Sequence, residues 1–118
     1  MGALYTEHFK DLKGLQLPQT KTECADNIYW VYGIVLGNSI NYGAKEAINK
    51  LNQKSIGCRP FFCPMHQQPF LKGLGLFQGE EFKVSELLYQ RGFYIPSGLG
   101  LKKEDIYQVI EAVREVFK

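Results

Sequence analysis

Residues 28–36 read Ile-Tyr-Trp-Val-Tyr-Gly-Ile-Val-Leu. β-branched and aromatic side chains fill the run, and no polar residue alternates with them. That pattern predicts a strand central in its sheet and buried on both faces. Gly37-Asn38 closes it. Downstream, residues 43–54 carry Ala44, Ala47, Ile48 and Leu51 at helical spacing. Upstream, residues 4–12 predict a short helix with Leu4, Tyr5, His8 and Leu12 on one face, stopped by Gly14. An irregular polar stretch then runs over 19–27. Residues 56–62 form a second strand candidate, closed by Pro64. Residues 83–91 predict a helix with Val84, Leu87 and Leu88 inward and Gly92 at its C′ position. Phe93-Tyr94-Ile95 is a third strand, ended by Pro96. Over 102–117, Ile106, Val109, Ile110, Val113 and Phe117 mark the clearest helix, with Glu104 and Asp105 suited to the dipole of its first turn. The order predicts an α+β domain: a small sheet of about three strands with helices packed on one face. The other face would be partly apolar and open to another domain.

The chain has 118 residues, 45% hydrophobic and 22% charged, with 8 Phe, 7 Tyr and 1 Trp. That supports one domain over 1–118 with a real core, and excludes a disordered chain or a TIM barrel. Fourteen basic residues against twelve acidic ones give +2, spread over both halves. No nucleic-acid-binding face can be built from so small a surplus. Three cysteines match no disulfide framework, so a reducing, cytoplasmic setting is expected. No apolar run reaches membrane-span length, no signal peptide is visible and no membrane partner is expected. Met1-Gly2 with Thr6 fits a myristoylation pattern that a start methionine explains equally well.

Residues 57–69, Gly-Cys-Arg-Pro-Phe-Phe-Cys-Pro-Met-His-Gln-Gln-Pro, are the densest chemical text. Cys58, Cys63 and His66 are spaced unlike any standard zinc set and lack a fourth ligand. Cys63 and His66 also make a poor nucleophile pair, since catalytic partners usually meet across a fold and no orienting third group is evident. No metal and no catalytic residue is expected here. Two readings stay open. Three prolines stiffen the loop into a ligand wall, where Arg59 grips a phosphate or carboxylate and His66 and Gln67 bind hydroxyls. Alternatively, Arg59 pairs with a surface carboxylate and His66 caps a turn. The glycine pairs at 73–77 and 98–101 read as turns, and 72–82 as a mobile loop.

The phrases at 29–36 and 59–69, with Gly92-Phe93-Tyr94-Ile95-Pro96-Ser97-Gly98-Leu99-Gly100-Leu101, resemble the C-terminal domain of the DegT/DnrJ/EryC1/StrS aminotransferases, in their perosamine synthase branch. The likeness covers nearly the whole chain in the family's order. It implies the small domain of a pyridoxal-phosphate enzyme that transfers an amino group, from glutamate, to a keto nucleotide sugar for surface-polysaccharide or O-antigen biosynthesis. The family's large domain carries the cofactor lysine and the aspartate facing the pyridine nitrogen. Neither has a counterpart here, so this chain alone is expected to be inactive and to bind no cofactor. By position in the motif, the resemblance implies substrate contacts at His66, Arg59 and Phe62. It also leaves a face that the large domain would cover, so self-association near Phe61, Phe62, Phe70 and Phe77 is expected. A stand-alone sugar-nucleotide-binding module and a regulatory interaction module are the alternatives.

Overall fold

A computed structural model describes residues 1–118. The elements, in chain order, are α1 (Gly2–Phe9), β1 (Leu15–Gln16), β2 (Tyr32–Leu36), α2 (Ala44–Asn52), β3 (Arg59–Pro60), a 3-10 turn (Met65–Gln67), α3 (Pro69–Gly73), α4 (Lys83–Arg91), β4 (Gly92–Ile95) and α5 (Lys103–Phe117). The strands form one antiparallel sheet in the order β1-β2-β4-β3. It is the expected α+β class, with one strand more than expected: β1 is a two-residue strand pairing Leu15 with Leu36. A run that short shows no period to read.

One sheet face makes the core. Tyr32, Ile34 and Leu36 of β2 and Phe93 and Ile95 of β4 are buried there. Tyr5 of α1 meets Tyr32 edge-on at 5.1 Å, and Phe117 of α5 stacks on Phe93 at 6.2 Å. Ala44, Ala47 and Leu51 of α2 complete the layer beside Ile106, Val109, Ile110 and Val113 of α5. Asp105 Oδ2 accepts from Lys102 N at 2.9 Å and closes the first turn of α5. The buried side of α1 is Gly2, Tyr5 and Phe9, continued by Leu12. His8 lies off that line, against Tyr107.

The structure corrects the reading of 28–36. The strand starts at Tyr32 and alternates, with Gly33 and Val35 only half-buried. Residues 28–31 are irregular instead, with a bend at Trp30 and Val31. Asn27 Oδ1 accepts from Tyr29 N at 2.7 Å, and Tyr29 sits at φ +51°. Its ring stacks on Tyr32 and lies where a Cβ on Gly2 would be, 2.2 Å away. Ile28 and Trp30, on either side, are turned outward at 88% and 77% exposure. β2 is central, as expected, but buried on one face only.

The second sheet face is covered locally by Phe61. A Cβ on Gly33 would come within 2.9 Å of its ring, and one on Gly92 within 2.4 Å. Phe61 stacks on Tyr94 at 4.6 Å in the slot these two glycines leave. Gly92 is extended, at φ −97°, so it is not the left-handed cap expected of it. Helix α4 is also corrected: it buries no residue, and Val84 and Leu87 face outward. Arg91 ties α4 to the turn after β2, donating to the carbonyls of Leu36, Gly37 and Ile40 at 2.6–2.8 Å.

Candidate functional site

Cross-strand partners share a sheet face. Phe93 and Ile95 point into the core, so Tyr94 points to the second face. Arg59 pairs with Tyr94 across β3 and β4, which places the Arg59 side chain on that face as well. Two residues on, Phe61 follows the same alternation onto Tyr94. Phe62 then leans over Tyr94 at 6.3 Å with its ring tilted by 58°, itself 78% exposed. The irregular segment at 28–31 adds Trp30. Together Trp30, Arg59, Phe62, Tyr94, Pro96 and Ser97 wall a cleft of about 320 Å³. Its lining includes three aromatic rings and one guanidinium.

Arg59 is the only charged group among the residues lining the cleft, and it makes no ion pair. The reading in which it serves a surface carboxylate therefore does not describe this structure. A guanidinium beside aromatic walls is suited to a planar or phosphorylated anion. Ser97 is already engaged: its Oγ accepts from Tyr32 N at 3.2 Å and donates to Ile95 O at 3.4 Å. A larger apolar cleft, about 740 Å³, adjoins on the other side of Trp30 and shares Trp30 and Ser97 with the first.

His66 is placed differently. It is buried on the 3-10 turn, with Nε2 2.9 Å from Glu86 Oε1 of α4 and the ring 4.8 Å from that of Phe82. A carboxylate only accepts, so Nε2 carries the proton. Of the three residues singled out in the sequence, the structure brings Arg59 and Phe62 into one cleft and turns His66 behind the loop toward α4. Gln68 donates to Cys63 O at 3.1 Å and Gln67 N to Pro64 O at 2.9 Å, so the loop holds its own shape. Cys58, Cys63 and His66 do not converge, and no group of three His, Cys, Asp or Glu side chains does. Burial pushes the Cys58 thiol up to about 12, the opposite of an activated nucleophile.

Sequence reasoning missed Trp30 and Tyr94 as cleft residues. The strand alternation from Phe93 could have found Tyr94. Trp30 had no signal of its own, because a displayed tryptophan and a buried one look alike in an apolar run. The cleft lining holds neither a lysine nor a carboxylate. These residues do not fit pyridoxal phosphate, which needs an amine for its aldehyde and an acid for its ring nitrogen.

The sequence model of the DegT/DnrJ/EryC1/StrS aminotransferase family matches residues 1–114. GDP-perosamine synthase of Caulobacter vibrioides is 30% identical over 90 residues, which is 76% of this chain and 24% of that protein. GDP-perosamine synthase of Vibrio cholerae is 26% identical over 89 residues, 75% of this chain and 24% of its own length. The chain thus spans about a quarter of the length of these relatives. Among solved structures, PseC of Helicobacter pylori, an aminotransferase involved in pseudoaminic acid biosynthesis, superposes with a TM-score of 0.84 at 18% identity, over 98% of this chain and 30% of its own. DesV of S. venezuelae, in complex with a ketimine intermediate, gives 0.81 at 23% identity, over 97% and 29%. Both share the fold.

Proposed function

The chain belongs to the DegT/DnrJ/EryC1/StrS aminotransferase family, and from that premise we propose that it is the C-terminal domain of an enzyme moving an amino group from glutamate to a keto nucleotide sugar. Pyridoxal phosphate, when bound to the intact enzyme, would supply the amino-carrying chemistry. On this reading the residues that hold it belong to the family's large domain, and this chain by itself is inactive. The GDP-perosamine synthases among its relatives support a nucleotide sugar as acceptor; a role in surface-polysaccharide or O-antigen assembly and a cytoplasmic setting are part of the same proposal. No helix of the chain is long and apolar enough to cross a membrane.

The observation that carries the proposal is the unpaired Arg59 guanidinium in a cleft of aromatic rings, on the sheet face that the helices leave open. Arg59 and Phe62 would contact the substrate directly. His66 would act on the substrate only indirectly, by holding the loop that carries Phe62 through its bond to Glu86. The same apolar surface would draw two copies of the chain together.

The test is full-length protein assayed against a panel of keto nucleotide sugars with glutamate as donor, the two half-reactions followed separately. Arg59→Gln and His66→Ala are expected to slow the sugar half-reaction and spare the glutamate one. Equal losses in both would replace the substrate role with a structural one. No transfer to any keto nucleotide sugar would overturn the proposal.

A further inference from the structure

We propose, resting on that reading, that residues 62–82 are a hinged flap beside the cleft, and that Glu86 is the positioning residue that latches it, acting through His66. Burial gives the first observation. Across residues 57–91, His66 is the one buried residue, and it is the one buried polar side chain of the whole chain. A segment of that length is usually held to its fold by apolar burial. Here Met65, Phe70, Leu74 and Leu76 stand exposed, and the anchor is an imidazole. The hydrogen bonds give the second. Phe61 N donates to Gly92 O at 3.1 Å, and after it no backbone bond reaches the sheet until β4. The bonds of the segment close within it: Gln67 N to Pro64 O, Lys72 N to Gln68 O, Leu76 N to Leu71 O. The bond from His66 Nε2 to Glu86 Oε1, 2.9 Å long, is the one side-chain hydrogen bond that leaves the segment.

The ends of the segment suit a hinge, and there is room for it to move. Phe61 clamps the near end in its slot between Gly33 and Gly92. At the far end, Gly75 and Gly79 take φ +75° and +76°, and a Cβ on Gly79 would meet nothing within 4 Å. A groove of about 500 Å³ is lined by Phe62, Pro64 and Met65 of the loop together with Ser85, Leu88 and Tyr89 of α4, so the two do not pack flush. Glu86 lies outside the cleft lining and acts at a distance. Without its carboxylate, the buried His66 N–H has no acceptor, because the neighbouring ring of Phe82 offers none. A buried donor left unpaired costs more than the net worth of the bond it lost. The imidazole then turns to water and lifts the loop. Phe62 leaves Tyr94 with it, and the cleft loses one of its aromatic faces.

Amide hydrogen exchange read by mass spectrometry tests the latch without any substrate. In the 118-residue chain, the bonded amides of 67–76 are expected to exchange through an opening separate from that of β2 and α5. Glu86→Ala should speed them about tenfold and leave β2 and α5 at the parental rate, which also shows that the variant is folded. Glu86→Gln keeps an acceptor oxygen and should fall nearer the parent. In a His66→Ala background, Glu86→Ala should add nothing, because the positioning runs through the imidazole. A flap that exchanges together with the core would overturn the inference. So would parental flap exchange in Glu86→Ala, or an undiminished effect of that change in the absence of His66. In the full-length protein, Glu86→Ala should raise KM for the keto nucleotide sugar about three- to tenfold, with a smaller change in kcat. An unchanged KM, or a loss confined to kcat, refutes the positioning role. A full-length protein that transfers no amino group to any keto nucleotide sugar sinks the enzymatic reading alone, and exchange still decides the latch.

Discussion

Gly92 shows how one residue type can be expected for one reason and used for another. A glycine directly after a helix suggests a left-handed cap. Here the backbone is extended, and what glycine provides is the missing Cβ, without which Phe61 could not lie on the sheet. Gly92→Ala would put a methyl 2.4 Å from that ring and 2.5 Å from Leu88 O. It should cost about 1 to 3 kcal/mol in urea unfolding. It should also expel Phe61, and a loss of the Phe61–Tyr94 ring-current shifts would show this. Arg91 next to it was unremarked in the sequence, since nothing in a helix pattern announces that an arginine will hold three carbonyls some fifty residues away. Arg91→Ala should cost about 2 to 4 kcal/mol by the same measurement. Arg91→Lys should recover little of it, because an ammonium cannot span carbonyls that a planar fork reaches together.

Elements were legible where one face is buried and the run is long. α5 buries every residue its period marks, and α2 buries three of four with Ile48 partly covered. Legibility failed where apolar residues are displayed. Val84 and Leu87 fit a helical period but face outward, and residues 28–31 carry strand-like side chains on an irregular segment. Composition records that a side chain is apolar and says nothing of which molecule covers it. The contact between α1 and α5 has a polar seam that gives a pH-dependent expectation. Arg114 donates to both Asp11 carboxylate oxygens at 2.8 Å and to His8 O. This bonding holds the Asp11 carboxyl at about 2, below its ordinary 3.8. A lowered folded-state pKa gives a contribution that is complete above the unfolded value and lost as pH falls through the folded one. Melting temperature should therefore fall more steeply between about pH 4 and pH 2 in the parent chain than in Asp11→Asn. Parallel curves would mean the seam adds nothing.

At the scale of the molecule, 21 of 118 residues are buried and the radius of gyration is 15.8 Å. A compact chain of this length would measure about 13 to 14 Å. Large apolar side chains stand exposed on several segments: Phe62 and Met65 on the proline loop, Phe70 on α3 and Trp30 before β2. Of the four phenylalanines expected at a contact surface, Phe61 lies in its glycine slot and Phe77 packs edge-on to Phe82, which leaves Phe62 and Phe70 available. Light scattering should show a concentration-dependent dimer, and Phe70→Lys should shift it toward monomer. A parent chain that stays monomeric at millimolar concentration would refute this. The cleft itself was half legible. Arg59 and Phe62 lie in a motif dense enough to notice, whereas Trp30 and Tyr94 join them only through pairings across the sheet. Those pairings also set the order in which the molecule can be made. β2 bonds to β4, about sixty residues later, and β3 has no neighbour except β4. On the ribosome, at about 5 to 20 residues per second, Tyr32–Leu36 must wait roughly 3 to 12 seconds for its main partner. During that time its only sheet neighbour is the two-residue β1. A nascent chain stalled before residue 92 has an apolar strand with an open edge, the kind of segment chaperones hold. Arrest-peptide force profiling should find tension only once β4 has cleared the exit tunnel.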